Sequence, residues 1–288
     1  MLDVIVTADD LGISRGITRG ILTAHDLGVV TAASVMANGT ALDAVIDEVT
    51  ARPSLALGAH LVFVGEDRPL LTHREVPTLV DRSGALPRSW RHLAARVLSG
   101  RVSPDDLRAE GRAQLERLRD GLGLDLSHVN THQHVHLLPA VARVVVDLAV
   151  EAGVGYLRAP TTSSRSPRAV VIRRWRRQLV DAAGRAGLAT SDTFAGLDEA
   201  GHLTAADVVA AVARSGPGVL EVNCHPGLPT PADRLLYRWG YAWEREVRAL
   251  TDRDLARALT GRGVRLVRPG EAHAGHRTSG ENRDPRPT

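Results

Sequence analysis

The sequence predicts an α/β protein built on a parallel sheet. Short runs of apolar, β-branched residues alternate along the chain with segments of helical periodicity, the pattern of successive βα units. Four of those apolar runs end abruptly in acid or histidine, at Asp9-Asp10, at His60, at His132-x-His134-x-His136 and at His225. Parallel α/β folds collect their chemistry at the carboxyl ends of the strands, so four such endings point to one rim.

The first strand is Val4-Ile5-Val6-Thr7-Ala8, which delivers Asp9 and Asp10 and then Leu11-Gly12 into a loop. Adjacent carboxylates repel, and a bound cation or a catalytic proton accounts for both. The competing explanation is helix capping, since Asp10 precedes a helical stretch from Ile13 to Leu27. Ser14 to Leu27 places Ile17, Ile21, Leu22 and Ala24 at helical spacing ahead of Gly28. Val29 to Met36 reads as the second strand, Ala41 to Thr50 as a helix, and Leu55 to Val62 as the third strand, with His60 at its carboxyl end. Gly65 to Pro87 is rich in turn formers, and an excursion of that length is expected to be functional. Ser103-Pro104 opens a helix to Leu122, with Asp105 and Asp106 in its first turn.

His128 to Leu138 reads as a strand and its exit, Ala140 to Ala152 as a helix, and Gly155 to Pro160 as a further short strand. The basic patch from Arg165 to Arg177 reads as a solvated helix face, with docking of an anionic ligand as the alternative. Gly218 to Gly227 is a late strand ending in a His-Pro-Gly turn. Apolar residues nearly vanish from Ala272 onward, so one domain over 1–271 and a disordered tail over 272–288 are expected.

Composition excludes several classes. At 288 residues with 43% hydrophobic content the chain can bury a proper core. Aromatics make up only 3%, too few for a base-stacking surface, so no nucleic-acid partner is expected. Every one of the 36 basic residues is arginine, which rules out Schiff-base chemistry and a P-loop lysine. Cys224 is the single cysteine, so neither an internal disulfide nor a thiolate metal cluster can form. No signal peptide and no apolar run of membrane-spanning length is evident, and a cytoplasmic location is expected. The oligomeric state, a homo-oligomer included, stays open.

The three alternating histidines would share one face of an extended chain, and crowding three neutral imidazoles is costly without a purpose. A metal ligand within the set accounts for it. Alternation leaves His134 able to ligate in place of His132, and His136 open to a supporting or substrate-contacting role. Asp and His around an open coordination position suit a divalent cation that activates water, with a spare carboxylate as base and a histidine as acid. That chemistry is metal-assisted hydrolysis. Such a donor set suits Zn, Co or Mn, whereas Mg prefers oxygen.

Six segments, in order, resemble the YdjC-like carbohydrate deacetylases of the ChbG and HpnK type: Thr7 to Gly12, Gly58 to Leu61, Val76 to Asp81, Thr131 to His136, Leu157 to Pro160 and Glu221 to Gly227. The resemblance implies a distorted, TIM-like (β/α) barrel that removes the acetyl group of an N-acetylated sugar with one divalent metal ion, magnesium in descriptions of the family. It implies Asp10, His60 and His132 as metal ligands, Asp9 as general base, Arg158 as the arginine that holds that base ionised, and His225 as general acid. Glu221 is implied near His225, and His134, His136 and Glu221 are candidates for substrate contact or support of the site. Two rivals stand beside this reading: a metal-dependent amidohydrolase or phosphoesterase on a barrel, and a catalytically silent sugar-binding homologue.

Overall fold

Alternation of apolar runs with amphipathic segments produces a parallel sheet wrapped by helices. A computed structural model describes residues 1–272; apart from Ala272, the expected tail lies outside the described residues. Ala272 itself is buried in a small apolar cluster with Ile5, Tyr156 and Val267. The strands are β1 (Leu2–Leu11), β2 (Ala32–Val35), β3 (Ala56–Leu61), β4 (Val129–Thr131), β5 (Thr193–Ala195), β6 (Gly218–Cys224) and β7 (Val264–Leu266). They run parallel in the order β4-β3-β2-β1-β6-β5, with β7 paired to the start of β1.

The sheet curls into a half-barrel. Single bridges from Val129 to Leu157 and from Tyr156 to Ala189 carry the curl past β4. Gly155 to Pro160 therefore makes isolated bridges where a strand is expected: the segment leaves the sheet after two residues. Central β1 is buried from Val4 through Leu11 on both faces, as a parallel strand covered by helices must be.

Helix α1 (Arg15–Asp26) buries Ile17, Ile21, Leu22 and Ala24 against the sheet. Its N-cap is Ser14, whose hydroxyl accepts from the Ile17 N–H, so the capping explanation for Asp10 fails. Helices α2 (Leu42–Thr50) and α3 (Trp90–Leu98) follow β2 and the long excursion, α3 being an addition to the expected elements. The excursion is tied to α4 (Pro104–Glu116), where buried Glu110 accepts from the Leu70 and Leu71 N–H groups at 3.0 Å and Asp106 accepts from Thr78. The expected helix to Leu122 stops at Glu116 and widens into a π turn over Arg117–Gly121.

Helix α5 (Pro139–Glu151) packs on α4, and α6 (Pro167–Arg185) carries the basic patch. Arg165, Arg168, Arg173, Arg174 and Arg177 are exposed, as a solvated face requires, while Arg176 reaches back to the carbonyls of Ala159 and Ser191. Helices α7 (Ala205–Arg214), α8 (Pro231–Leu236), α9 (Trp243–Leu250) and α10 (Arg253–Gly261) complete the outer layer. Among the described residues no helix is long and apolar enough to cross a membrane.

The largest departure from expectation lies after β4. That strand ends at Thr131, and His132–Leu137 is a tight turn in which Gln133 and His134 adopt left-handed conformations, φ 53° and 51°. The three histidines consequently do not share a face.

Candidate active site

Asp9 and Asp10 lie at the carboxyl end of β1, where the register with β2 shifts between Ala8 and Leu11. Neighbouring residues on a strand normally face opposite ways. Here Asp10 takes φ 69°, a left-handed conformation that costs a non-glycine residue about 1–2 kcal/mol, and both carboxylates turn toward His60 at the end of β3. Asp9 Oδ1 lies 3.9 Å from His60 Nδ1 and Asp10 Oδ1 lies 3.4 Å from His60 Nε2.

His132, the first residue after β4, completes a compact triangle. Its Nδ1 is 3.2 Å from Asp10 Oδ1 and 3.3 Å from His60 Nε2. All three residues are buried, and Asp10 Oδ1 lacks a well-aligned hydrogen-bond donor. Burial raises the Asp10 carboxyl, but the imidazoles of His132 and His60 more than reverse this and hold it well below the usual range. One anionic oxygen and two imidazole nitrogens in a triangle of this size match ligands about 2.0–2.2 Å from a common ion. Asp10, His60 and His132 are also the set of ligating side chains that converges among the described residues. The donor set therefore fits a divalent cation. His134 does not enter it.

Asp9 is occupied differently. Its Oδ2 accepts from Arg158 Nη1 at 2.5 Å and its Oδ1 from Arg158 Nη2 at 3.0 Å, a bidentate clamp. Burial raises the Asp9 carboxyl, and the guanidinium charge outweighs it, leaving Asp9 far below the usual carboxylate range. Arg158 is itself completely buried and held from behind by Glu221, which accepts from Arg158 Nε at 2.7 Å, Tyr156 Oη at 2.9 Å and Thr7 Oγ1 at 3.2 Å. Glu221 thus anchors the arginine and does not line the cavity. His136 does not line it either: its Nδ1 meets Thr131 Oγ1 and its Nε2 the Arg158 carbonyl, bracing the clamp.

A cavity of about 330 Å³ opens onto Asp9, His60, His132, His134 and His225. His225 follows β6, and its turn is seated on α1 through glycines: a Cβ on Gly20 would stand 2.3 Å from the Gly227 Cα. The His225 N–H donates to buried Glu246, while His225 Nδ1 is buried without a partner and its ring rests against Tyr241. Trp239 and Tyr241 form one wall, with Trp239 5.2 Å from the His132 ring. A groove of about 200 Å³ continues past Trp90, Gln133 and His134 to Ile172 and Trp175. Burial holds His134, which borders both spaces, neutral with a depressed pKa.

Sequence reasoning missed the aromatic wall, Asn130 and Glu246. A signal for the wall was present: four of nine aromatic residues stand at alternate positions in Tyr237-Arg238-Trp239-Gly240-Tyr241-Ala242-Trp243. None marked Glu246, one acid among many on an amphipathic helix.

Residues 3–261 match the family described as YdjC-like protein. A carbohydrate deacetylase of Brevibacillus brevis is 37% identical over 52% of this chain and 56% of that one. A carbohydrate deacetylase of Geobacillus stearothermophilus is 33% identical over 91% of this chain and 95% of that one. Among solved structures, a candidate cellobiose-phosphate cleavage protein from Enterococcus faecalis superposes with a TM-score of 0.77 at 25% identity, covering 93% of this chain and 98% of that one.

Proposed function

The chain belongs to the YdjC-like family, and from that membership and the site geometry we propose that it is a metal-dependent carbohydrate deacetylase, cleaving the acetamide of an N-acetylated amino sugar or sugar conjugate. One observation carries the reading: a buried carboxylate clamped by Arg158 opens onto the same cavity as His225 and the Asp10, His60 and His132 triangle. In this reading those three residues hold the cation. The chemistry a divalent cation supplies when bound there is Lewis-acid polarisation of an amide carbonyl, a lowered pKa for water and compensation of oxyanion charge.

Arg158 keeps Asp9 ionised and ready to accept a proton. Asp9 removes that proton from the attacking water, whose oxygen adds to the acetyl carbon. His225 donates a proton to the amide nitrogen as the C–N bond breaks, so a free amine and acetate depart. The neutral ring of His134 and the faces of Trp239 and Tyr241 are suited to flank the sugar. An imidazole-rich donor set favours Mn, Co or Zn over Mg.

The test is acetate release by cation-loaded protein from free oligosaccharides, sugar phosphates, lipid-linked glycans and natural-product amino sugars. Asp9→Asn is expected to lower turnover by about 10²–10⁴-fold while the cation stays bound. Near-normal release by that variant would remove Asp9 from the role of base. Silence of the wild-type protein on all four classes would remove the deacetylase reading.

A further inference from the structure

Behind His60 a file of polar side chains, buried as far as His128 and half-buried at Ser127, runs back through the sheet. His60 Nδ1 meets Asn130 Oδ1; Asn130 Nδ2 meets Ser34 Oγ at 2.7 Å; Ser34 Oγ meets His128 Nε2 at 3.0 Å; His128 Nδ1 meets Ser127 Oγ at 2.9 Å; Ser127 Oγ meets the Leu57 carbonyl at 2.8 Å. Asn130 Nδ2 also lies 3.4 Å from Asp9 Oδ1. Gly58 makes room for the file, since a Cβ there would lie 2.4 Å from the His128 ring.

The direction of every proton in this file can be deduced from either end. At one end the ionised Asp9 carboxylate only accepts, so the Asn130 atom facing it is the amide nitrogen. The amide oxygen then faces His60, and His60 Nδ1 must carry a proton to donate. At the other end the Leu57 carbonyl only accepts and takes the single Ser127 hydroxyl proton. Ser127 Oγ consequently accepts from His128 Nδ1–H. His128 is kept neutral by burial, with its pKa pushed down to about 3, so its bare Nε2 accepts the Ser34 proton. Ser34 Oγ in turn accepts from Asn130. Both ends give the same orientation of the amide, and its two N–H groups are divided between Ser34 and Asp9.

We propose that Asn130, oriented by the Ser34, His128 and Ser127 file, is a positioning residue that fixes His60 in the Nδ1–H tautomer and presents a bare Nε2 beside Asp10 and His132. A histidine binds a cation through an unprotonated nitrogen, and the partner of its other nitrogen decides which one that is. Asn130 also ties this choice to the base, because the same amide group touches Asp9. The inference rests on the reading of Asp10, His60 and His132 as cation ligands.

The test combines two readouts. In metal-free protein, ¹⁵N NMR of the histidine side chains at alkaline pH is expected to find the proton of His60 on Nδ1 and none on Nε2. By calorimetric titration with Mn²⁺, Asn130→Leu is expected to bind about 10–100-fold more weakly than wild type, with the His60 proton redistributed between its nitrogens. Ser34→Ala, which leaves Asn130 in place and serves if Asn130→Leu fails to fold, is expected to weaken binding less, and Ser34→Thr to restore it. A proton on His60 Nε2 in the wild type, or wild-type affinity in both Asn130→Leu and Ser34→Ala, would overturn the proposal. An Nδ1–H His60 in a wild-type protein that binds no cation would instead overturn the ligand reading and leave the tautomer assignment standing.

Discussion

Several titratable residues in and behind the site are held in one protonation state by their surroundings, Asp9 and Asp10 by the cationic groups beside them and the histidines behind them by burial. Arg158 stands between Asp9 and Glu221, so one buried guanidinium clamps the carboxylate at the cavity and is itself anchored from behind. Behind it, His128 and His136 are held neutral by burial, both with pKa values lowered from 6.5 to about 3. The consequence is a defined acid limb of stability. Between about 6.5 and 3 an unfolded chain protonates these imidazoles and the folded chain does not, so stability is complete above 6.5 and is lost as pH falls through that window. Well inside the window each histidine contributes a slope of about 1.4 kcal/mol per pH unit. Urea unfolding at a series of pH values is expected to show that slope reduced by one proton in His128→Gln. An unchanged slope would mean that His128 is already charged in the native protein. The sequence made Asp9 and Asp10 legible because two adjacent acids at a strand end have few uses. It left Asn130 unmarked, because an asparagine acquires its role only from the three residues around it, each distant in sequence.

At the scale of elements, the His225 end of the cavity is positioned by how α1 meets the turn after β6. Gly16 and Gly20 lie one helical turn apart on the same face of α1, and that face receives Gly227 and the Leu228 carbonyl at distances no side chain allows. The His-Pro-Gly turn therefore rests directly on helix backbone. Gly20→Ala would put its methyl 2.3 Å from the Gly227 Cα, and because the obstacle is backbone the turn must move and carry His225 with it. A displacement near 1 Å at a reacting group costs about 10²-fold in rate. Acetate release by Gly20→Ala is expected to fall by that order while Mn²⁺ affinity, set on β1, β3 and the turn after β4, stays at the wild-type value. Loss of cation binding together with activity would show that the change spreads beyond the turn. The same scale explains the misread histidines. Alternation was the correct inference for an extended chain, but Gln133 and His134 are left-handed without being glycine, and nothing local in Thr131-His132-Gln133-His134 announces that.

At the scale of the molecule, the order of the fold was readable and its closure was not. Alternating apolar and amphipathic segments place β1, β2, β3 and β6 and the helices α1, α2, α4 and α5, with the basic face of α6, whereas α3 and α7 to α10 are elements the reading does not contain. Short pieces such as β5 and β7 leave no periodic trace, because three residues carry no period. What the whole molecule adds is convergence. The candidate ligand atoms from β1, from β3 and from the turn after β4 meet within a few ångströms although 50 residues or more separate each in sequence from the next. A cation bound there would tie together residues that lie far apart along the chain, and an ion that binds only the folded chain stabilises it by mass action. At a free concentration 100-fold above its Kd the gain is about 2.7 kcal/mol, which for a chain of this size raises Tm by about 5–10 °C. Chelator-stripped protein is expected to show that rise on titration with Mn²⁺ or Zn²⁺, and Asp10→Asn, which keeps the volume and removes the anionic oxygen common to both short contacts, is expected to lose it. A rise of equal size in Asp10→Asn would place the stabilising ion elsewhere on the protein, and the absence of any rise in the wild type would leave the Asp10, His60 and His132 triangle without the ion its donors fit.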